Sequence, residues 1–170
     1  MKTDIKKTKL KNVLVIKPYK FEDLRGSFIE TYNLNFFNKK IKKIKFVQDD
    51  ISISKKNVLR GIHGDNKTWK LVSCLQGKIY LIVVNNDKKS KDYRKWISII
   101  LSEKNYKQVL IPPKHGNAYV ALTKQVIYNY KQSTYYDRDS QFTINWKDPK
   151  YKFKWPVKKP ILSLRDNVTN

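Results

Sequence analysis

The sequence predicts an all-β fold, a sandwich or barrel around one core. Three observations carry this. Short apolar runs recur at roughly 8–12-residue spacing with turn residues between them. The most apolar stretch splits into two runs, Leu71 to Leu75 and Lys78 to Val84, on either side of Gln76-Gly77, which reads as a β-hairpin. Only one segment, starting at Asn33, carries a clear helical signal. At 170 residues and 40% hydrophobic, the chain suits one domain, residues 1–170, with a sizeable core.

In chain order, residues 1–12 are polar and basic and read as a loosely held arm. Val13 to Ile16 is a short strand closed by Lys17-Pro18. Asp23 to Gly26 reads as a turn and Ser27 to Tyr32 as a strand. Asn33 then caps a short helix running through Asn38 and the lysines after it. Lys45 to Asp49 and Ile51 to Ser54 are extended, the second with strict alternation. The hairpin follows, then a charged loop, Asn86 to Asp92. Trp96 to Leu101, Gln108 to Ile111, Ala118 to Leu122 and Gln125 to Gln132 are further strands, and Pro112-Pro113 ends one of them sharply. The tail is punctuated by prolines and ends in polar Asn167 to Asn170.

The net charge of +23 raises the question of a polyanionic partner. Only five of the 37 basic residues are arginine, the type suited to bidentate phosphate and base contacts, and the lysines are scattered. This reads as a solvated surface, with neither nucleic acid nor membrane as partner. No apolar run approaches the roughly 18 residues of a membrane span. The N-terminus lacks the apolar region of a secretory signal. The single cysteine, Cys74, cannot form an internal disulfide and reads as a buried, inert thiol. Together these features point to the cytoplasm.

Few residues offer chemistry. There is no GxGxxG, P-loop or CxxC, two histidines cannot supply a three-histidine metal site, and the spacing gives no support to a two-histidine site with a carboxylate, so neither cofactor nor metal is expected. His63 sits in LRGIHGD beside Arg60, which is suited to holding an anion. A histidine base needs an orienting carboxylate. Asp65 is too close in sequence, and Asp166 serves only if the fold returns it. Tyr130 shares a strand face with Val126, Tyr128 and Gln132, where packing is the commoner role. Lys70 opens an apolar strand, where snorkelling to solvent is commoner than pointing into a cavity.

The motifs in order carry a resemblance. FEDLRGSFIE supplies Phe21, Asp23, Arg25, Gly26, Phe28 and Glu30 at the fixed positions of F-x-D-x-R-G-x-F-x-E. FVQDDISIS, VLRGIH, KLV, YKQSTYY, WKDP, WP and LSLRD follow it. Over about residues 13 to 166 the chain resembles the dTDP-4-dehydrorhamnose 3,5-epimerase family of nucleotide 4-keto-sugar epimerases. The resemblance implies a cupin-type jelly roll (a double-stranded β-helix), metal-free and homodimeric, acting on a nucleoside-diphosphate 4-keto sugar, GDP- or dTDP-linked. It implies His63 as base, Asp166 as its orienting partner, Tyr130 as acid on the opposite face and Lys70 facing the enolate oxygen. Arg60 and Arg25 match diphosphate or nucleotide contacts. Phe28, Glu30, Gln48 and Tyr136 match positions that line the nucleotide and sugar pocket.

The departures cluster around the sugar. Gly64-Asp65 replace Tyr-Gln after the histidine, and the loop to Lys70 is about three residues short. Asp50 stands where asparagine is common. PPKHGNAY puts Asn117 at the second active-site histidine, with His115 offset by two. These changes suggest a different sugar, such as a GDP-linked 4-keto-heptose for bacterial surface polysaccharide. Epimerisation at C3, with or without C5, is the expected reaction. A 3,4-ketoisomerase or 5-epimerase on the same fold is the alternative, and a non-catalytic polyanion-binding domain the remaining one.

Overall fold

The computed structural model of the protein describes residues 3–167. The first two residues of the expected arm and the last three of the polar C-terminus lie outside the described residues. The elements are β1 (Asp4–Lys7), β2 (Leu14–Lys17), β3 (Lys20–Asp23), β4 (Gly26–Ile29), α1 (Leu34–Lys40), β5 (Gln48–Lys55) and β6 (Leu59–Gly64). There follow β7 (Lys70–Gln76), β8 (Lys78–Asn85), β9 (Trp96–Ser102), β10 (Gln108–Ile111), β11 (His115–Ala121), β12 (Gln125–Gln132) and β13 (Phe142–Thr143). Two antiparallel sheets face each other, in orders β1-β2-β10-β7-β12-β5 and β13-β6-β11-β8-β9. From β5 to β8 successive strands alternate between the sheets, the winding of a double-stranded β-helix.

The strongest β signal is not a hairpin. β7 pairs with β10 and β12, β8 pairs with β11 and β9, and the two lie in opposite sheets. Gln76-Gly77 is therefore a corner. Gly77 sits at φ +80°, and a Cβ there would meet Thr123 Oγ1 at 2.3 Å. Both strands read as continuous apolar runs because each is central in its sheet. Val72 and Cys74 meet Ile79, Leu81 and Val83 between the sheets. Leu71 packs outward under α1, and Val84 packs outward under the C-terminal tail.

The helix forms where expected. Asn33 caps it by accepting from Phe36 N–H at 3.0 Å, and Phe37 is buried against Ile16, Leu71 and Leu110. Residues 4–7 of the expected loose arm instead form β1, paired residue for residue with β2. Lys45 to Asp49 and Ile51 to Ser54 merge into β5, which starts only at Gln48. On β5 the polar residues Gln48, Asp50 and Ser52 face the interior cavity, while Ile51 and Ile53 face solvent. Alternation alone could not say which face was inside. Cys74 is buried as expected, and burial pushes its thiol up to about 11.

The tail crosses the outer face of the five-stranded sheet. Tyr151, Phe153 and Trp155 pack with Ile62, Val84 and Ala118, and Trp155 Nε1 donates to Trp146 O at 2.8 Å. This packing holds the proline-punctuated segment against the sheet on its way back to β6, where Ile161 bridges Val58.

Candidate active site

A cavity of about 320 Å³ opens between the sheets. β6 brings Arg60 and His63 to it from one sheet. β12 brings Tyr128, Tyr130 and Gln132 from the other. The tail returns Asp166 to β6, so that His63 Nε2 lies 2.7 Å from Asp166 Oδ1. Neither atom has another hydrogen-bond partner among the described residues, and Oδ2 takes a long contact from Gly61 N–H at 3.5 Å. Burial pushes the Asp166 carboxyl up, but the His63 contact and charge, Ser163 and the Gly61 N–H together hold it below its ordinary value. The carboxylate therefore stays charged and orients the ring, and Nδ1 is left as the ring nitrogen free for the cavity.

Lys70 does not snorkel. It is 7% exposed, lines the cavity, and makes no hydrogen bond or ion pair among the described residues. Desolvation pushes its ammonium below the usual lysine range, Asp65 opposes this, and Arg165 adds to it. Asp65 also closes the short loop before Lys70, accepting from Lys67 N–H at 2.8 Å and from Thr68 N–H at 2.6 Å. Gly64 is needed where it stands, because a Cβ would lie 2.3 Å from His115 O. Tyr130 is half-buried, its hydroxyl makes no hydrogen bond among the described residues, and burial pushes its phenol up. The hydroxyl therefore stays protonated near neutral pH.

Asn117 faces His63 across the β11–β6 pairing and donates from Nδ2 to Tyr128 Oη at 3.2 Å. Its Oδ1 is buried without a partner among the described residues. Arg60 donates to Ser54 Oγ at 3.0 Å, and Gln48, Asp50 and Tyr136 complete that wall. Arg25, Phe28 and Glu30 are not brought to this cavity. They lie on or beside the β3–β4 hairpin, which pairs only with itself, and Phe28 is 71% exposed. His115 also lies outside the cavity, with Nδ1 3.0 Å from Pro113 O and Nε2 unpartnered among the described residues.

Sequence reasoning missed Tyr119, Gln132, Gln141 and Arg165, all of which line the cavity. Tyr119 Oη sits between Ser52 Oγ and Ser54 Oγ at 2.9 and 2.8 Å. Arg165 donates to Gln141 Oε1 at 3.2 Å. Two of them had a signal: Arg165 adjoins Asp166, and Gln132 shares the alternation of Tyr130. Gln141 had none. Among the described residues no group of three His, Cys, Asp or Glu side chains converges to hold a metal ion.

Burial pushes His115 below the ordinary histidine value, the Pro113 carbonyl and Asp87 opposing it. The unfolded chain therefore binds more protons than the folded one as pH falls below about 6.5, and stability falls with it. A melting series from pH 7 to 5 is expected to lose more melting temperature in the wild type than in His115→Gln. Equal losses would show that the ring is not the acid-sensitive group.

A family model described as dTDP-4-dehydrorhamnose 3,5-epimerase matches residues 7–170. The enzyme of that name from Salmonella typhimurium is 38% identical over 165 residues, covering 94% of this chain and 90% of its own. That from Methanothermobacter thermautotrophicus is 34% identical over 153 residues, covering 89% and 83%. The Bacillus anthracis enzyme, solved with TDP and PPi bound, superposes with a TM-score of 0.95 at 31% identity over 99% of both chains. The Legionella pneumophila enzyme, solved with dTDP-4-keto-L-rhamnose, gives 0.91 at 31% identity over 97% and 90%. Fold, cavity and sequence agree that this chain belongs to the dTDP-4-dehydrorhamnose 3,5-epimerase family.

Proposed function

We propose that the protein epimerises a nucleoside-diphosphate 4-keto sugar at C3, with or without C5. One observation carries this reading. The His63–Asp166 pair and the free Tyr130 hydroxyl reach one cavity from opposite sheets, and the buried Lys70 ammonium lines it too. A ketone at C4 acidifies the adjacent C–H bonds. His63 Nδ1 takes the proton on one face, Lys70 stabilises the enolate oxygen, and Tyr130 returns a proton to the other face. The cationic Arg60, Arg165 and Lys70 suit a diphosphate-bearing substrate.

The nucleotide is dTDP or GDP. The Asn117 carboxamide where the family motif has histidine, and the Gly64 loop, favour a sugar other than that of the relatives, such as a GDP-4-keto-heptose destined for surface polysaccharide. A homodimer belongs to this reading. The self-paired β3–β4 hairpin exposes Phe21, Leu24 and Phe28, and a second copy's cavity would take Arg25, Phe28 and Glu30. Sedimentation as a monomer at micromolar concentration would remove that part. A cytoplasmic location belongs to the reading too, and fractionation of cells checks it.

Incubation with dTDP- and GDP-linked 4-keto sugars in D2O is expected to place deuterium at C3 of an epimerised product. No deuterium at C3 or C5 of any of them would sink the reading. Product analysis separates a ketoisomerase, which moves the carbonyl.

A further inference from the structure

β5 turns Gln48 and Asp50 to the cavity, and there they bond to each other more than to open space. Gln48 Nε2 donates to Asp50 Oδ1 at 3.1 Å and to Oδ2 at 2.9 Å. Gln132 Nε2, on a side chain 2% exposed, donates to Oδ2 at 3.1 Å. The other end of Gln48, Oε1, accepts from Tyr136 N–H at 2.7 Å. The orientation of the Gln48 amide follows from chemistry. A backbone N–H only donates, so the oxygen faces Tyr136. An ionised carboxylate only accepts, so the nitrogen faces Asp50.

This line of bonds holds little else in its segment. Ser133 and Thr134 are tied to Trp69 and Thr68. From Tyr135 to Ser140 the remaining bonds are turns within the segment or to Gln141, as Asp139 N–H to Asp137 Oδ1. Among the described residues, Tyr136 N–H to Gln48 is the one hydrogen bond that reaches the body of the protein. Tyr135 is 76% exposed and Tyr136 48%, so apolar burial does not replace it.

We propose that Asp50 is a positioning residue: braced by Gln132, it fixes Gln48 so that Gln48 latches the Tyr136 segment to the cavity wall. A carboxylate suits this place because Oδ2 receives two N–H groups at once while Oδ1 receives a third contact. An asparagine would turn its own NH2 toward one of those donors. The latch rests on the epimerase reading only for its effect on substrate.

Amide hydrogen exchange of the ligand-free protein, read on peptides covering residues 135–140, tests it directly. Asp50→Ala and Gln48→Glu are expected to speed exchange there about tenfold or more, with β7 and β8 unchanged. Gln48→Glu keeps an acceptor for Tyr136 N–H but sets a second carboxylate against Asp50. Asp50→Asn, with one acceptor oxygen left, should recover much of the protection, and it decides with Gln48→Glu if Asp50→Ala does not fold. With an NDP-4-keto sugar, Asp50→Ala should raise KM by a larger factor than it lowers kcat. Unchanged exchange in the variants overturns the latch. A raised KM with unchanged exchange would mean that Asp50 touches the substrate itself. If the wild type turns over no 4-keto sugar, the epimerase reading fails while the exchange result still decides the latch.

Discussion

Replacing His63 with asparagine is expected to lower turnover of the 4-keto sugar by roughly 10³-fold or more, and to abolish deuterium entry at C3. His63 carries the one imidazole lining the cavity, and its Nε2 is already committed to Asp166 at 2.7 Å. Asparagine keeps a polar group beside Asp166 but offers no basic nitrogen to the substrate. A 10³-fold loss is about 4 kcal/mol of transition-state stabilisation. The variant also leaves the buried Asp166 poorly matched, at about 1–3 kcal/mol of stability. Melting must therefore be measured alongside turnover. A folded His63→Asn protein that still exchanges the C3 proton at a tenth of the wild-type rate would remove His63 as the base.

Tyr130→Phe should separate the two half-reactions. The variant keeps His63, so it still removes the C3 proton and returns a deuteron on the same face. Inversion should fall by roughly 10²–10³-fold, while deuterium washes into unreacted substrate. The ring itself remains, tilted against Tyr128 with centroids 5.6 Å apart, so packing changes little. Loss of exchange and inversion in equal measure would place Tyr130 in proton removal instead of delivery. Burial raises the Tyr130 phenol, so it should remain a donor across neutral pH.

Much of the architecture was legible as local pattern. β10 and β12 appear at the residues their short strand-like runs mark, and Asn33 caps the helix it announces. The departures from expectation have one physical source. Periodicity reports how a strand is buried, not which strand lies beside it. Leu71 to Leu75 and Lys78 to Val84 are both apolar because both are central strands, and a Gly-containing corner looks like a hairpin turn until the partners are known. Lys70 departs for a related reason. Whether a lysine snorkels depends on what stands opposite it, here a polar cavity between sheets.

By itself the sequence determined the all-β class, and its ordered motifs identified the family and marked His63, Tyr130, Lys70 and Asp166 as candidates. These depend on residue types at fixed spacings along one chain. Only the tertiary structure decided that Asp166 reaches His63, that Asn117 faces the cavity and His115 does not, and that Asp50 is bonded to Gln132 on the neighbouring strand. Each of these is a contact between residues far apart in the chain or on different strands. Such contacts form only when a hydrophobic core, tail included, holds distant segments together, and no local pattern encodes the distance across it.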